Sequence, residues 1–147
     1  MATVLETYLE NRWLVSPNHA NNLATTHGGN VLKWMDEVGA LSAMRFAGEH
    51  CVTARIDQVN FKRPIPVGET AVVEAYVFDA GETSVHVRLR AFREDPRTGD
   101  RELTTESYSV YVAVDESHDP VPVPDLTVTS ERGRRLREMA VDGDERR

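Results

Sequence analysis

The chain has 147 residues, 40% of them hydrophobic and 28% charged, the make-up of one globular domain with a real core; low-complexity disorder and collagen are excluded. No run of about 18 apolar residues is available to span a membrane, and a single cysteine, Cys51, excludes an intrachain disulfide framework or a multi-thiolate metal site. With 24 acidic against 17 basic side chains the net charge is −7, the wrong sign for a general nucleic-acid binder. The start, MATVLETYLENRW, carries early carboxylates and no apolar stretch, so it does not read as a secretory signal, and a cytoplasmic address is the default. Lys33 and Lys62 are the only lysines. An acidic, Arg-rich surface fits a salt-loving source or a GC-rich genome, and charge does not separate the two.

Asn11 to Val15 is a short candidate strand, followed by a loop of turn formers from Ser16 to Asn22. Val31 to about Ala47 reads as a helix, with Thr25, Thr26 or Asn30 as its cap. It is apolar almost all round, so it is expected to be buried on most sides. Only Lys33 and Glu37, four residues apart, suggest an exposed ion pair. The period then changes from 3.6 to 2. Val52, Ala54 and Ile56 alternate with polar residues, and the phase slips near Gln58, which predicts a bulge.

Pro64 to Gly68 is a turn, Thr70 to Phe78 a strand, and Asp79 to Glu82 a hairpin turn. Thr83 to Phe92 places Val85, Val87, Leu89 and Ala91 inward and Ser84, His86, Arg88 and Arg90 outward. After a turn at Asp95 to Asp100, Leu103 to Val114 alternates through Tyr108, Val110, Val112 and Val114. Pro120 to Pro124 is extended outside any central strand. Ser130 to about Ala140 reads as a charged helix, with fraying last residues. Short turns imply antiparallel neighbours. The expected fold class is therefore α+β, one long helix wrapped by an antiparallel sheet. Its outward rows and edge await a partner chain. The whole of 1–147 is one domain, with a core of about 11–115 and a C-terminal extension, 116–147.

Three features in Pro17 to Ala40 point to chemistry. Asp36 shares a helical row with Gly29, Leu32, Gly39, Ala40 and Ala43, so its charge lies on a small-residue stripe where burial demands a partner. The same placement fits a structural aspartate bonded to a neighbouring strand. His27-Gly28-Gly29 precedes the helix, where glycines allow close approach and free amides favour an oxyanion; it also fits a helix start with special backbone angles. Asn21 offers a carboxamide that donates to a carbonyl oxygen, or forms a turn.

Taken in order, Asn21, His27-Gly28-Gly29 and Met35-Asp36-Glu37-Val38-Gly39 resemble the acyl-CoA hydrolase branch of the hotdog-fold thioesterases. That branch includes the YciA-like bacterial enzymes and the cytosolic long-chain acyl-CoA hydrolases of animals. The resemblance continues through Val52–Phe61, Lys62-Arg63-Pro64-Ile65-Pro66-Val67-Gly68, Ser84, Tyr111–Asp115 and Val121–Pro124. It covers the chain from about Trp13 to Leu136. One departure is Ala24, where the family usually has glycine.

The resemblance implies a long helix in a five-stranded antiparallel sheet, pairing edge to edge into homodimers and commonly into hexamers. It implies a site shared between protomers, Asn21 from one and Asp36 from the other. The implied reaction is hydrolysis of acyl-CoA to acid and CoA. In it Asp36 acts as general base or as direct nucleophile, Asn21 orients water or thioester, and the Gly29 amide holds the oxyanion. His27, Gly28, Asn60 and Ser84 join the expected substrate site, and Lys62, Arg63, Arg88 and Arg90 are candidates for the CoA phosphates. No cofactor or metal is called for, since the five histidines are scattered. The rival readings are a hotdog dehydratase, which needs a histidine beside the helix carboxylate, a non-catalytic CoA-ester-binding module, and a structural oligomer, which leaves the coincidence of Asn21 and Asp36 unexplained.

Overall fold

The computed structural model describes residues 2–144; the expectation that the last residues fray falls partly on 145–147, outside them. The long helix, α1, runs over Gly28–Ala47, starting a turn before the predicted Val31. Its cap is none of the three predicted residues. His27 takes the position, its Nδ1 accepting the Gly29 N–H at 2.9 Å. An imidazole nitrogen serves as well as a hydroxyl there, and Thr26 is occupied elsewhere, bonded to the Ile65 carbonyl. The helix stops at Gly48, whose positive φ of 69° lets its N–H reach the Met44 carbonyl at 2.9 Å. Val31, Trp34, Met35, Val38 and Phe46 are buried along it, each contributing about 1.5–3 kcal/mol of burial. Lys33 and Glu37 are exposed, and among the described residues no ion pair joins them; the Lys-before-Glu order is the weaker orientation on a helix.

The strands are β1 (Leu9–Leu14), β2 (His50–Phe61), β3 (Thr70–Ala80), β4 (Ser84–Glu94) and β5 (Arg101–Val114). They form one antiparallel sheet in the order β1-β3-β4-β5-β2, curved round α1. Hairpin logic places β2 beside β3, and the sheet corrects that: β2 pairs with β5 at the far edge. The link between β2 and β3 carries Pro64 and Pro66, which cannot donate to a ladder. It crosses below the start of α1 instead, where the Ile65 carbonyl accepts the Thr26 N–H at 2.8 Å and the Ala24 carbonyl accepts the Val67 N–H at 3.1 Å.

The inner face carries Val73, Ala75 and Val77 of β3, Val85, Val87, Leu89 and Ala91 of β4, and Tyr111 and Ala113 of β5. The β4 phase is the predicted one; in β2 and β5 the alternating apolar residues do not mark the inner face. Val52 is 44% exposed, while Thr53 turns its hydroxyl to α1. In β5 the row through Tyr108 faces outward, away from the core that holds Tyr111. The reason is a second helix, α2 (Glu131–Gly143), capped by Ser130 through the Gly133 N–H. It lies on the outer face and makes a second apolar cluster there with Val4, Tyr76, Phe78, Tyr108, Leu136 and Ala140. A strand with apolar layers on both sides has no polar phase to read. The outward rows are thus covered partly by this chain's own C-terminal helix. The predicted slip at Gln58 is present: its φ is 52° and the register shifts between Asp57 and Asn60. A second shift lies between Thr53 and Arg55.

Candidate active site

Asp36 sits halfway along α1, half-buried, on the side that faces edge strand β2. Two hydroxyls donate to the same carboxylate oxygen. Thr53 Oγ1 of β2 lies 2.8 Å from Oδ1, and Tyr111 Oη of β5 lies 3.1 Å from it. The Tyr111 hydroxyl is also 3.1 Å from the Asp36 backbone carbonyl. Thr53 and Tyr111 are direct cross-strand partners, so their side chains leave the sheet together toward the helix. Burial, then the negative charge of Asp36 and the hydrogen bond to it, push the Tyr111 hydroxyl far above the ordinary phenol range. It therefore keeps its proton and meets the carboxylate as a donor.

Gly39, one turn after Asp36, makes this approach feasible. A Cβ there would land on the Tyr111 hydroxyl and 3.2 Å from Leu89 Cδ2. Cys51, on the same strand as Thr53, is half-buried against the core, and burial pushes its thiol up to about 11. It is a packing residue, with no thiolate at neutral pH.

The loop before α1 holds Asn21 at its tip. Its base is tied down: His19 Nδ1 accepts the Ser16 N–H at 3.1 Å, the His19 ring meets Trp34 edge-on at 5.0 Å, and Trp34 stacks on Trp13 at 5.1 Å. Asn30 Nδ2 donates to the His19 carbonyl at 3.0 Å. Within the tip, Asn21 Oδ1 accepts the Leu23 N–H at 2.8 Å and Nδ2 donates to Thr25 Oγ1 at 3.0 Å. Ala24 takes φ 60°, the left-handed conformation for which the usual glycine is suited. Leu23 beside it is 76% exposed. Among the described residues no hydrogen bond joins Asn21 to Asp36.

The other expected site residues divide into two groups. Gly28, Lys62 and Arg63, together with Phe61, line a cleft of about 310 Å³ at the start of α1, with Val31 and Ile65 as its floor. A Cβ at Gly28 would stand 3.6 Å from the Phe61 ring, an ordinary packing contact. Lys62 pairs with Glu106 at 2.9 Å and Arg63 with Glu102 at 3.7 Å, and both remain largely exposed. His27 and Gly29 face each other across the cap, so the Gly29 amide is engaged by that imidazole. Asn60 is at the exposed end of β2, its Nδ2 3.3 Å from the Gln58 carbonyl.

Arg88 and Arg90 lie on the outer face, with the sheet between them and Asp36. Arg88 is buried over the Tyr108 ring at 4.8 Å, with Glu106 at 3.8 Å. Arg90 pairs with buried Glu74. Ser84 opens β4 beside the Gly81 hairpin turn, next to core residue Val85 and pointing the other way. Thr53 and Tyr111 are the functional candidates that the sequence reading missed. Thr53 reads in sequence only as a polar alternate and Tyr111 falls between the apolar alternates of its strand, and only the pairing register reveals that they meet.

A long helix wrapped by a five-stranded antiparallel sheet defines the hotdog class, and here the helix carries a half-buried carboxylate. The family model of the thioesterase superfamily matches residues 23–99, and the chain belongs to that family. It is 35% identical over 127 residues to the uncharacterized acyl-CoA thioester hydrolase YkhA of Bacillus subtilis, covering 86% of this chain and 74% of that one. Among solved structures it is similar to a hexameric acyl-CoA thioesterase, at 40% identity and TM-score 0.86, covering 97% of this chain and 92% of the other. It is also similar to the acyl-CoA hydrolase of Staphylococcus aureus in complex with butyryl coenzyme A and coenzyme A, at 28% identity and TM-score 0.87, covering 95% and 85%.

That Staphylococcus protein has also been solved with one asparagine, one aspartate or one threonine replaced by alanine. The spacings between those three positions equal the spacings between Asn21, Asp36 and Thr53 here. The chain spans 64% of the VdlD protein of Helicobacter pylori and 28% of the human cytosolic acyl coenzyme A thioester hydrolase.

Proposed function

We infer that this protein is an acyl-CoA thioester hydrolase and propose that Asp36 is its general base. The observation that carries the reading is the carboxylate itself: both protein donors converge on Oδ1, and Oδ2 takes no hydrogen bond from the described residues. An anchored carboxylate with one oxygen in hand is equipped to take a proton from water. As the water oxygen bonds to the thioester carbonyl carbon, its proton passes to Asp36. The tetrahedral intermediate then expels the CoA thiolate, which recovers the proton, leaving the free acid and CoA.

Asn21 enters from a second protomer. Within one chain it is turned into its own loop, while the exposed tip at Leu23 and the long edge strand β2 are both open to a partner. A homodimer is the minimal unit and a hexamer of three dimers the expected assembly. The Gly29 amide reaches an oxyanion once the His27 ring swings off it, which gives His27 a gating part. Lys62 and Arg63, exposed at the mouth of the cleft, are the phosphate-binding candidates; Arg88 and Arg90 are placed to brace the outer face. The protein acts in the cytoplasm and needs no cofactor on this reading.

Thiol release from a panel of acyl-CoAs tests the activity. Asp36→Asn is expected to lower kcat/KM by about 10²–10⁴-fold with oligomer and melting point retained. Mixing inactive Asn21→Ala and Asp36→Ala chains tests the shared site. Random reassortment leaves half the dimers mixed, each with one intact site of two, so about a quarter of wild-type activity should return. Full activity in Asp36→Asn removes the assigned base, and no recovery in the mixture removes the shared site.

A further inference from the structure

We propose that Tyr111 is the positioning residue of the Asp36 carboxylate, that side-chain-free Gly39 is the opening through which it acts, and that Asp36 Oδ2 is the oxygen that meets the substrate. The inference rests on the hydrolase reading and adds to it. Tyr111 is completely buried under α1. Its hydroxyl has two acceptors within reach, the Asp36 backbone carbonyl and Oδ1, both at 3.1 Å. A bond to the carbonyl alone satisfies a buried phenol and does nothing for the side chain. The bond to Oδ1 fixes the carboxylate's rotation, because Thr53 holds the same oxygen at 2.8 Å. Two donors on one atom, fixed by adjacent positions of paired strands, leave the second atom directed away from both.

Gly39 belongs to the same device. A methyl group there would occupy the place of the Tyr111 hydroxyl. Glycine costs an interior helix position about 1 kcal/mol relative to alanine. Here it admits a tyrosine to the helix backbone. The buried ring fills the core in either case; only the hydroxyl addresses the carboxylate.

Steady-state hydrolysis of one acyl-CoA substrate, with kcat and KM resolved, separates positioning from packing. Tyr111→Phe keeps the ring and removes the donor; it is expected to lower kcat about tenfold with KM within twofold. Gly39→Ala keeps the phenol and displaces it, and should lower kcat in the same way. The double variant should lose no more than twofold beyond the lower single, since both remove one interaction. A Tyr111→Phe enzyme with wild-type kcat overturns the proposal whatever its melting point, as does a double variant whose losses multiply. Should Tyr111→Phe fail to fold, a folded Gly39→Ala enzyme with wild-type kcat overturns it equally. Wild-type protein that hydrolyses no acyl-CoA overturns the hydrolase reading instead. Active wild type, inactive Asp36→Asn and unchanged Tyr111→Phe overturn this inference alone.

Discussion

At the scale of single residues, the loop carrying Asn21 holds a strained alanine. Ala24 sits at φ 60°, where a Cβ crowds its own backbone. Such a conformation costs about 1–2 kcal/mol for a residue other than glycine. The loop imposes it nonetheless, because the Ala24 N–H and carbonyl are both bonded, to the Asn21 carbonyl at 3.3 Å and from the Val67 N–H at 3.1 Å. Ala24→Gly relieves the strain but gives the unfolded chain more freedom, about 0.4–1 kcal/mol. The net expectation is a gain of about 0.5–1 kcal/mol, read as a higher urea midpoint. A lower midpoint would mean that the alanine methyl makes a contact worth more than the strain. The departure from the family's glycine was legible from the chain; its dihedral cost was not, since it depends on how the loop is pinned to the β2–β3 link.

At the scale of elements, α2 divides the work of the two sheet faces. Tyr76 donates to the Leu136 carbonyl at 2.7 Å and Tyr108 to the Ala140 carbonyl at 2.8 Å, and Gln58 of the β2 bulge reaches the Gly143 carbonyl at 3.0 Å. Leu136 is the apolar centre of that docking. Leu136→Ala should cost about 2–4 kcal/mol, as buried leucine truncations do. Because the sheet separates α2 from Asp36, kcat at a permissive temperature should be unchanged. Parallel loss of kcat and stability would show that the two faces are coupled. A charged helix from Ser130 was readable from its capping residue and charge pattern. Where it docks was not, since its apolar stripe is short and the surface it covers exists only after four strands have paired.

At the scale of the whole molecule, acid stability follows from a charged belt across the outer face. Glu94 is bonded by Arg12 and Arg101, and the Arg12 bond, against the opposing pull of burial, holds its carboxyl below the ordinary value. Burial raises Glu10 and Glu106, but Arg101 with Arg12, and Lys62 with Arg88, outweigh it and leave both lowered. A carboxylate whose folded value lies below its unfolded one adds stability that is fully present above the unfolded value. That stability is lost as pH falls through the folded one. Urea midpoints should therefore be level from pH 7 to about 5 and fall below about 4.5, more gently in 1 M salt, which screens the exposed members. A midpoint that rises on acidification would show that these pairs cost more in desolvation than they return.

The chain by itself determined the long apolar helix, the number of strands, the inward row of β4, the Gln58 slip and the order of Asn21, His27-Gly28-Gly29 and Asp36. All are encoded in local period, turn chemistry or spacing, which act over a few residues. Tertiary structure alone decided that β2 closes against β5 and that Thr53 and Tyr111 share one oxygen of Asp36. Each depends on strand register and on which of two apolar faces meets which helix. A two-residue repeat does not distinguish those faces when both are covered.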